Sequence, residues 1–193
     1  MELTWEQIVN NMFNSKNSSE LDLRAFCTYS ILKDRIYTEV LSDVLRVLER
    51  EGVDVESDIW ITVWSKLTSA AIYMMTHTAL QYFKNKEDDA DNFNIFVYKI
   101  FFKDFNERKE TLIEYERVNP NLGKGQVVWA MGAQICTAVG RESAFLVTKL
   151  TVFWKQIIKI ERETTSYILK ASLDELKDKV LKLNYIKMQK GKE

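Results

Sequence analysis

Apolar residues recur along this chain at spacings of three and four, the period of helices with one buried face. No segment alternates long enough to predict a strand. Phe26, Ser30, Tyr37, Val40, Leu41, Val44 and Leu48 trace one such face. Thr4-Trp5-Glu6-Gln7 and Ser172-Leu173-Asp174-Glu175 carry the residue types of capping boxes, a hydroxyl at the helix entry and a long acceptor three positions on. The first opens a short helix ending near Asn14. The polar run Asn14 to Ser19 predicts a loop. Ser19 then caps a long helix, with an interruption near Lys33–Arg35 and a left-handed end at Gly52.

Further helices are predicted from about Asp58 to Lys84, from Asp91 or Asn92 to about Arg117, from Gly125 to Arg141 and from Glu142 to Ala171. Between Ile59 and Phe83 the one ionised side chain is Lys66, and between Gly125 and Gly140 there is none. Helices apolar on all sides lie at the centre of a bundle or in a membrane. A span needs about 20 apolar residues. The first segment carries seven threonine, serine or glutamine side chains, His77 and Lys66, and a lysine at mid-membrane costs about 3 kcal/mol. The second is interrupted by Arg141 and Glu142. The expectation is a single all-α domain over 1–193. It is a bundle of about six to eight helices around two central apolar ones, 59–83 and 125–140, with no membrane span.

Composition narrows the class without naming a function. With 193 residues, 46% hydrophobic and 28% charged, the chain is ordinary for a globular protein. One proline and six glycines leave few helix breakers, and a net charge of −1 gives no global pull towards polyanions. Cys27 and Cys136 sit in apolar helical patterns and read as reduced core residues. With no signal-like start, they point to the cytoplasm.

Four of the glycines and the proline fall in Asn119–Gly140. Gly123-Lys124-Gly125-Gln126 lacks the spacing and the hydroxyl of a phosphate loop, and no strand precedes it. It reads as a turn opening a core helix. Gly132, Cys136 and Gly140 are spaced by four, a small-residue face against which a second helix packs closely.

Catalytic and metal chemistry is not legible. His77 is the single histidine and reads as a packed, hydrogen-bonded residue. There is no CxxC, HExxH or ExxH spacing, so no metal or cofactor is expected. The cluster Glu87, Asp88, Asp89 and Asp91 lacks the glycine and terminal glutamate of a calcium loop and reads as solvated.

Interaction residues are the better candidates. Leu146, Leu150, Phe153, Ile157, Ile160, Thr164 and Tyr167 follow the four-three alternation of a helical seam, widened by Trp154; such a stripe is core within the chain or, alternatively, a partner-binding groove or dimer seam. Phe93, Phe96, Phe101 and Phe105 add an aromatic stripe. The predicted partner-binding set is Phe93, Phe96, Phe101, Phe105, Leu146, Leu150, Phe153, Trp154 and Ile157. From residue 175 onward the chain forms a basic amphipathic helix with a ragged end. It carries lysines 177, 179, 182, 187, 190 and 192 and no arginine. Lys124, Arg141, Lys179, Lys182 and Lys187 are the candidate anion contacts.

In architecture alone, two charge-free helices in an amphipathic shell resemble Bcl-2-like bundles. The chain carries no NWGR-like signature, and no function follows from the likeness. The expected function is non-enzymatic: protein–protein interaction or self-assembly, as a homo-oligomer, through a hydrophobic groove or helical seam. The alternative is a nucleic-acid-associated or particle-forming structural protein that uses the C-terminal lysines.

Overall fold

The computed structural model describes residues 3–82 and 124–186, with side chains over 3–75 and 128–186. Every regular element among them is helical. These are α1 (Trp5–Asn14), α2 (Glu20–Ile36), a π-helical turn (Tyr37–Leu41), α3 (Ser42–Arg50), α4 (Ile59–Tyr82), α5 (Lys124–Ala138), α6 (Ala144–Thr151), α7 (Trp154–Lys170) and α8 (Leu173–Leu181). The chain is an all-α bundle. The helix expected over 91–117 and the acidic run at 84–91 lie outside the described residues.

Caps set most boundaries. The Thr4 hydroxyl accepts from the Gln7 amide while the Gln7 side chain accepts from the Thr4 amide, closing the predicted box. Ser19 and Asp22 reciprocate in the same way at α2. At α8 the Ser172 hydroxyl accepts from the Glu175 amide at 3.2 Å. Gly52, at φ +83, ends α3 with two bonds: its amide donates to the Glu49 carbonyl, and the Val53 amide donates to that of Leu48. Gly140, at φ +69, ends α5 with the same pair of bonds, to Thr137 and from Arg141 to Cys136.

Two boundaries differ from expectation. The interruption in the second helix is the π-helical turn at Tyr37–Leu41, not a break at Lys33–Arg35. One extra residue per turn rotates the apolar face, so Val40, Leu41, Val44 and Leu48 stay buried along a continuous rod. The helix expected over Glu142–Ala171 is two helices. They bend at Val152 and Phe153, where the Phe153 amide bonds back three residues to Leu150.

The core follows from burial on all sides of α4. Leu67 through Tyr73 are buried without a gap, so neighbours surround every face of this stretch. α2, α5, α7 and the π-helical turn supply them. The hydroxyls buried there need no outside partner. Thr68 donates to the Trp64 carbonyl and Ser69 to that of Ser65, both at 2.8 Å, within their own helix. α5 packs on α4 and α6. It buries Met131, Ile135 and Cys136.

A second buried cluster joins α1, α2, α8 and the helical turn at 184–186, through Val9, Phe26, Leu176, Val180 and Tyr185. Tyr37 and Trp64 lie between the two clusters. Aromatic rings run along this border. Trp5 stacks on Phe26 at 5.7 Å and meets Tyr185 edge-on, and Trp64 meets both Tyr185 and Tyr37 edge-on at 5.6 and 5.3 Å. Polar bonds fix the same border. Trp5 Nε1 donates to the Val180 carbonyl at 2.7 Å, and the buried Asp34 carboxylate accepts from the Tyr185 amide at 2.9 Å.

Candidate interaction surface

The bend between α6 and α7 decides which residues face outward. Leu146, Leu150 and Ile157 are at most 1% exposed, Trp154 is buried and Phe153 is half-buried. They lie in the core cluster with Leu67, Ile72 and Met131. Of the two readings of the stripe, these residues take the core one and lie in the chain's own interior. A four-three alternation marks whichever helix face is buried, and it does not distinguish a partner's helix from the chain's own. Tyr167, at the end of that stripe, is exposed.

The outward apolar residues sit one position away from the expected ones. Phe145 precedes Leu146 and is 63% exposed, and Val152 precedes Phe153 and is 65% exposed. Together with exposed Thr148 they form a row at i, i+3 and i+7 along the outer face of α6. Trp129 on α5 is 44% exposed. The row escaped sequence reasoning because Ala144–Thr151 is apolar on two opposed faces. Only the packing of α6 against α5 shows which face remains.

Gly132 makes that packing possible. A Cβ placed on it would lie 3.0 Å from the Val147 carbonyl oxygen and 3.1 Å from Val147 Cγ1. α6 fills the small-residue face from within the chain. Gly140, expected on the same face, has open space where its Cβ would stand, with no atom within 4 Å, and serves the turn instead.

Charge anchors the hairpin of α5 and α6 to the end of α3. The Lys149 ammonium pairs with Glu51 and lies 4.4 Å from the Phe145 ring centroid. Arg141 Nη1 approaches the Gly52 carbonyl at 3.5 Å, at the negative end of α3. Arg141 is thus aimed at a helix terminus rather than at a free anion site. Of the other candidate anion contacts, Lys179 is exposed on α8, and Lys182 pairs with Asp178 at 3.0 Å. Lys124 begins α5 with its side chain outside the described set. Lys187, Phe93, Phe96, Phe101, Phe105 and the side chain of His77 also lie outside the described residues.

Among the described residues, no three His, Cys, Asp or Glu side chains gather in a way that could hold a metal ion. Cys27 and Cys136 are free and buried. Burial pushes the Cys27 thiol up to about 12 and raises that of Cys136 as well, which keeps both protonated. No helix among the described residues is long and apolar enough to cross a membrane.

Neither a protein-family model, nor a curated protein, nor a solved structure matches the chain.

Proposed function

We propose that the chain is a non-enzymatic helical interaction protein, and that it docks a second protein chain on the outer face of α6. The observation that supports this most is the exposed pair of Phe145, on α6, and Val152, at its C-cap, beside a helix whose opposite face buries Leu146, Val147 and Leu150. Large apolar side chains at heptad spacing on a surface helix are what helix-to-helix recognition uses. Two free, buried cysteines suit a reducing compartment, and we place the protein in the cytoplasm.

Light scattering of the wild type and of a Phe145→Ser, Val152→Ser double variant tests the reading. A wild-type dimer or larger assembly that becomes monomeric in the double variant supports self-association through α6. A wild-type monomer directs the test to protein partners, whose binding the double variant must abolish. An assembly unaffected by both substitutions counts against α6 as the contact. The same measurement with an oligonucleotide, at low and high salt, addresses the nucleic-acid alternative. That reading draws less support, since Lys177 lies over the Phe13 ring and Lys182 is paired.

A further inference from the structure

Lys33, on α2, lies among three aromatic rings. Its ammonium lies 4.7 Å from the Trp64 ring centroid, 5.1 Å from that of Tyr185 and 5.9 Å from that of Tyr29. All three are within the distance at which an aromatic face attracts a cation. The walls come from three places: α2, α4 and the turn at 184–186. Trp64 and Tyr185 meet at an interplanar angle of 66°, so the rings enclose a corner rather than a slot.

Trp64 and Tyr185 are held by bonds that do not involve the ammonium. Trp64 Nε1 donates to the Lys33 backbone carbonyl at 2.9 Å. The Tyr185 amide donates to the Asp34 carboxylate at 2.9 Å. Tyr29 stands one helical turn before Lys33 on α2. A cage built this way is preorganised and does not collapse when its occupant leaves. Tyr29, Lys33 and Trp64 are each partly exposed to solvent.

We propose that Tyr29, Trp64 and Tyr185 form a recognition site for a quaternary ammonium group, which Lys33 fills in the absence of ligand. The competition is chemically reasonable. A lysine ammonium is compact and strongly hydrated, and three polar hydrogens lose water when it enters the cage. A trimethylated ammonium keeps the charge, presents methyl groups to the rings and gives up less hydration. Lys33 has a flexible four-carbon stem that can carry its head to solvent.

The test is a titration of the wild-type protein with tetramethylammonium chloride, followed by NMR of its labelled lysines. The Lys33 ε-methylene lies under three rings and should resonate upfield of the solvated lysines. Added tetramethylammonium should move it to their position, while potassium chloride at the same ionic strength leaves it in place. A second arm uses Lys33→Ala. Removing the internal competitor should tighten tetramethylammonium binding on the order of tenfold, by the fraction of time that the cage was closed. A Lys33 resonance that stays put, or that moves equally with potassium, overturns the proposal. So does a folded Lys33→Ala variant that binds no tighter than wild type. If that variant fails to fold, the wild-type titration decides alone. Trimethyl-lysine amide and phosphocholine, compared as ligands, distinguish a methylated peptide from a choline-bearing source.

Discussion

Gly132 on α5 lies directly beneath Val147 on α6, so close that a single added methyl group would come within 3.0 Å of the Val147 carbonyl oxygen. The contact sets the spacing of the two helices. Alanine at 132 gains up to about 1 kcal/mol of helix propensity but forces the helices apart. Overpacking of this kind costs about 1–3 kcal/mol, and the packing term should win. Chemical denaturation of Gly132→Ala should show a net loss of stability. Gly140 offers the contrast. Its requirement is the left-handed backbone alone, with open space around it. Gly140→Asn should be tolerated within about 1 kcal/mol, because asparagine visits that region more readily than most residues. Gly132→Asn should not be.

The two faces of α6 should separate cleanly under mutation. Leu150 is fully buried, and Leu150→Ala should cost about 2–5 kcal/mol in denaturant unfolding. Phe145→Ser and Val152→Ser change solvent-facing side chains and, with the Lys149 contact to the Phe145 ring lost, should leave stability within about 1 kcal/mol. Their effect should be confined to association, read as mass in solution.

Acid sensitivity should trace in part to Glu39. Arg35 donates to both Glu39 and Glu163 and links α2 to α7. The hydrogen bond from Arg35 holds the Glu39 carboxyl below its ordinary value of 4.5. A lowered carboxylate stabilises the fold fully above that ordinary value, and the contribution is lost as pH falls through the lowered one. Both partners are partly exposed, so the effect is small and screened by salt. Glu39→Gln should flatten the decline in stability below pH 4.5, and raised ionic strength should shrink the difference from wild type.

Asp34 should act as the anchor of the helical turn at 184–186. Asp34→Ala leaves the buried Tyr185 amide without its acceptor, at a cost of about 1–3 kcal/mol. Amide hydrogen exchange at Tyr185 should accelerate more than exchange in α4. Equal acceleration throughout would mean that the turn opens only with global unfolding.

The helices were legible because their punctuation is local. Thr4 with Gln7, Ser19, Ser172 and Gly52 act within a few residues of themselves, and the chain states them outright. Periodicity also identified Leu146, Leu150 and Ile157 as members of one buried face. What covers that face was not legible, because burial against α4 and burial against a partner impose the same spacing. The exposed row of Phe145 and Val152 was hidden for the same reason: its identity depends on the position of α5. The cage around Lys33 depends on residues from 29 to 185 meeting in space, and no spacing rule connects them. The interruption of the second helix lies a few residues beyond the break expected at Lys33–Arg35 and takes the form of a π-helical turn. The charged run Lys33–Arg35 looks like a break, although Asp34 is in fact buried.

The bond from Trp5 to the Val180 carbonyl closes a loop of 175 residues. During synthesis α1 leaves the ribosome well before α8. The cluster that buries Val9 and Phe26 cannot be completed until Leu176 and Val180 have been made. α1 must therefore wait for its partners in that cluster while the bundle around α4 assembles from nearer neighbours. Folding of this half of the molecule is a late event by construction, and the rate of chain elongation bears most heavily on α1.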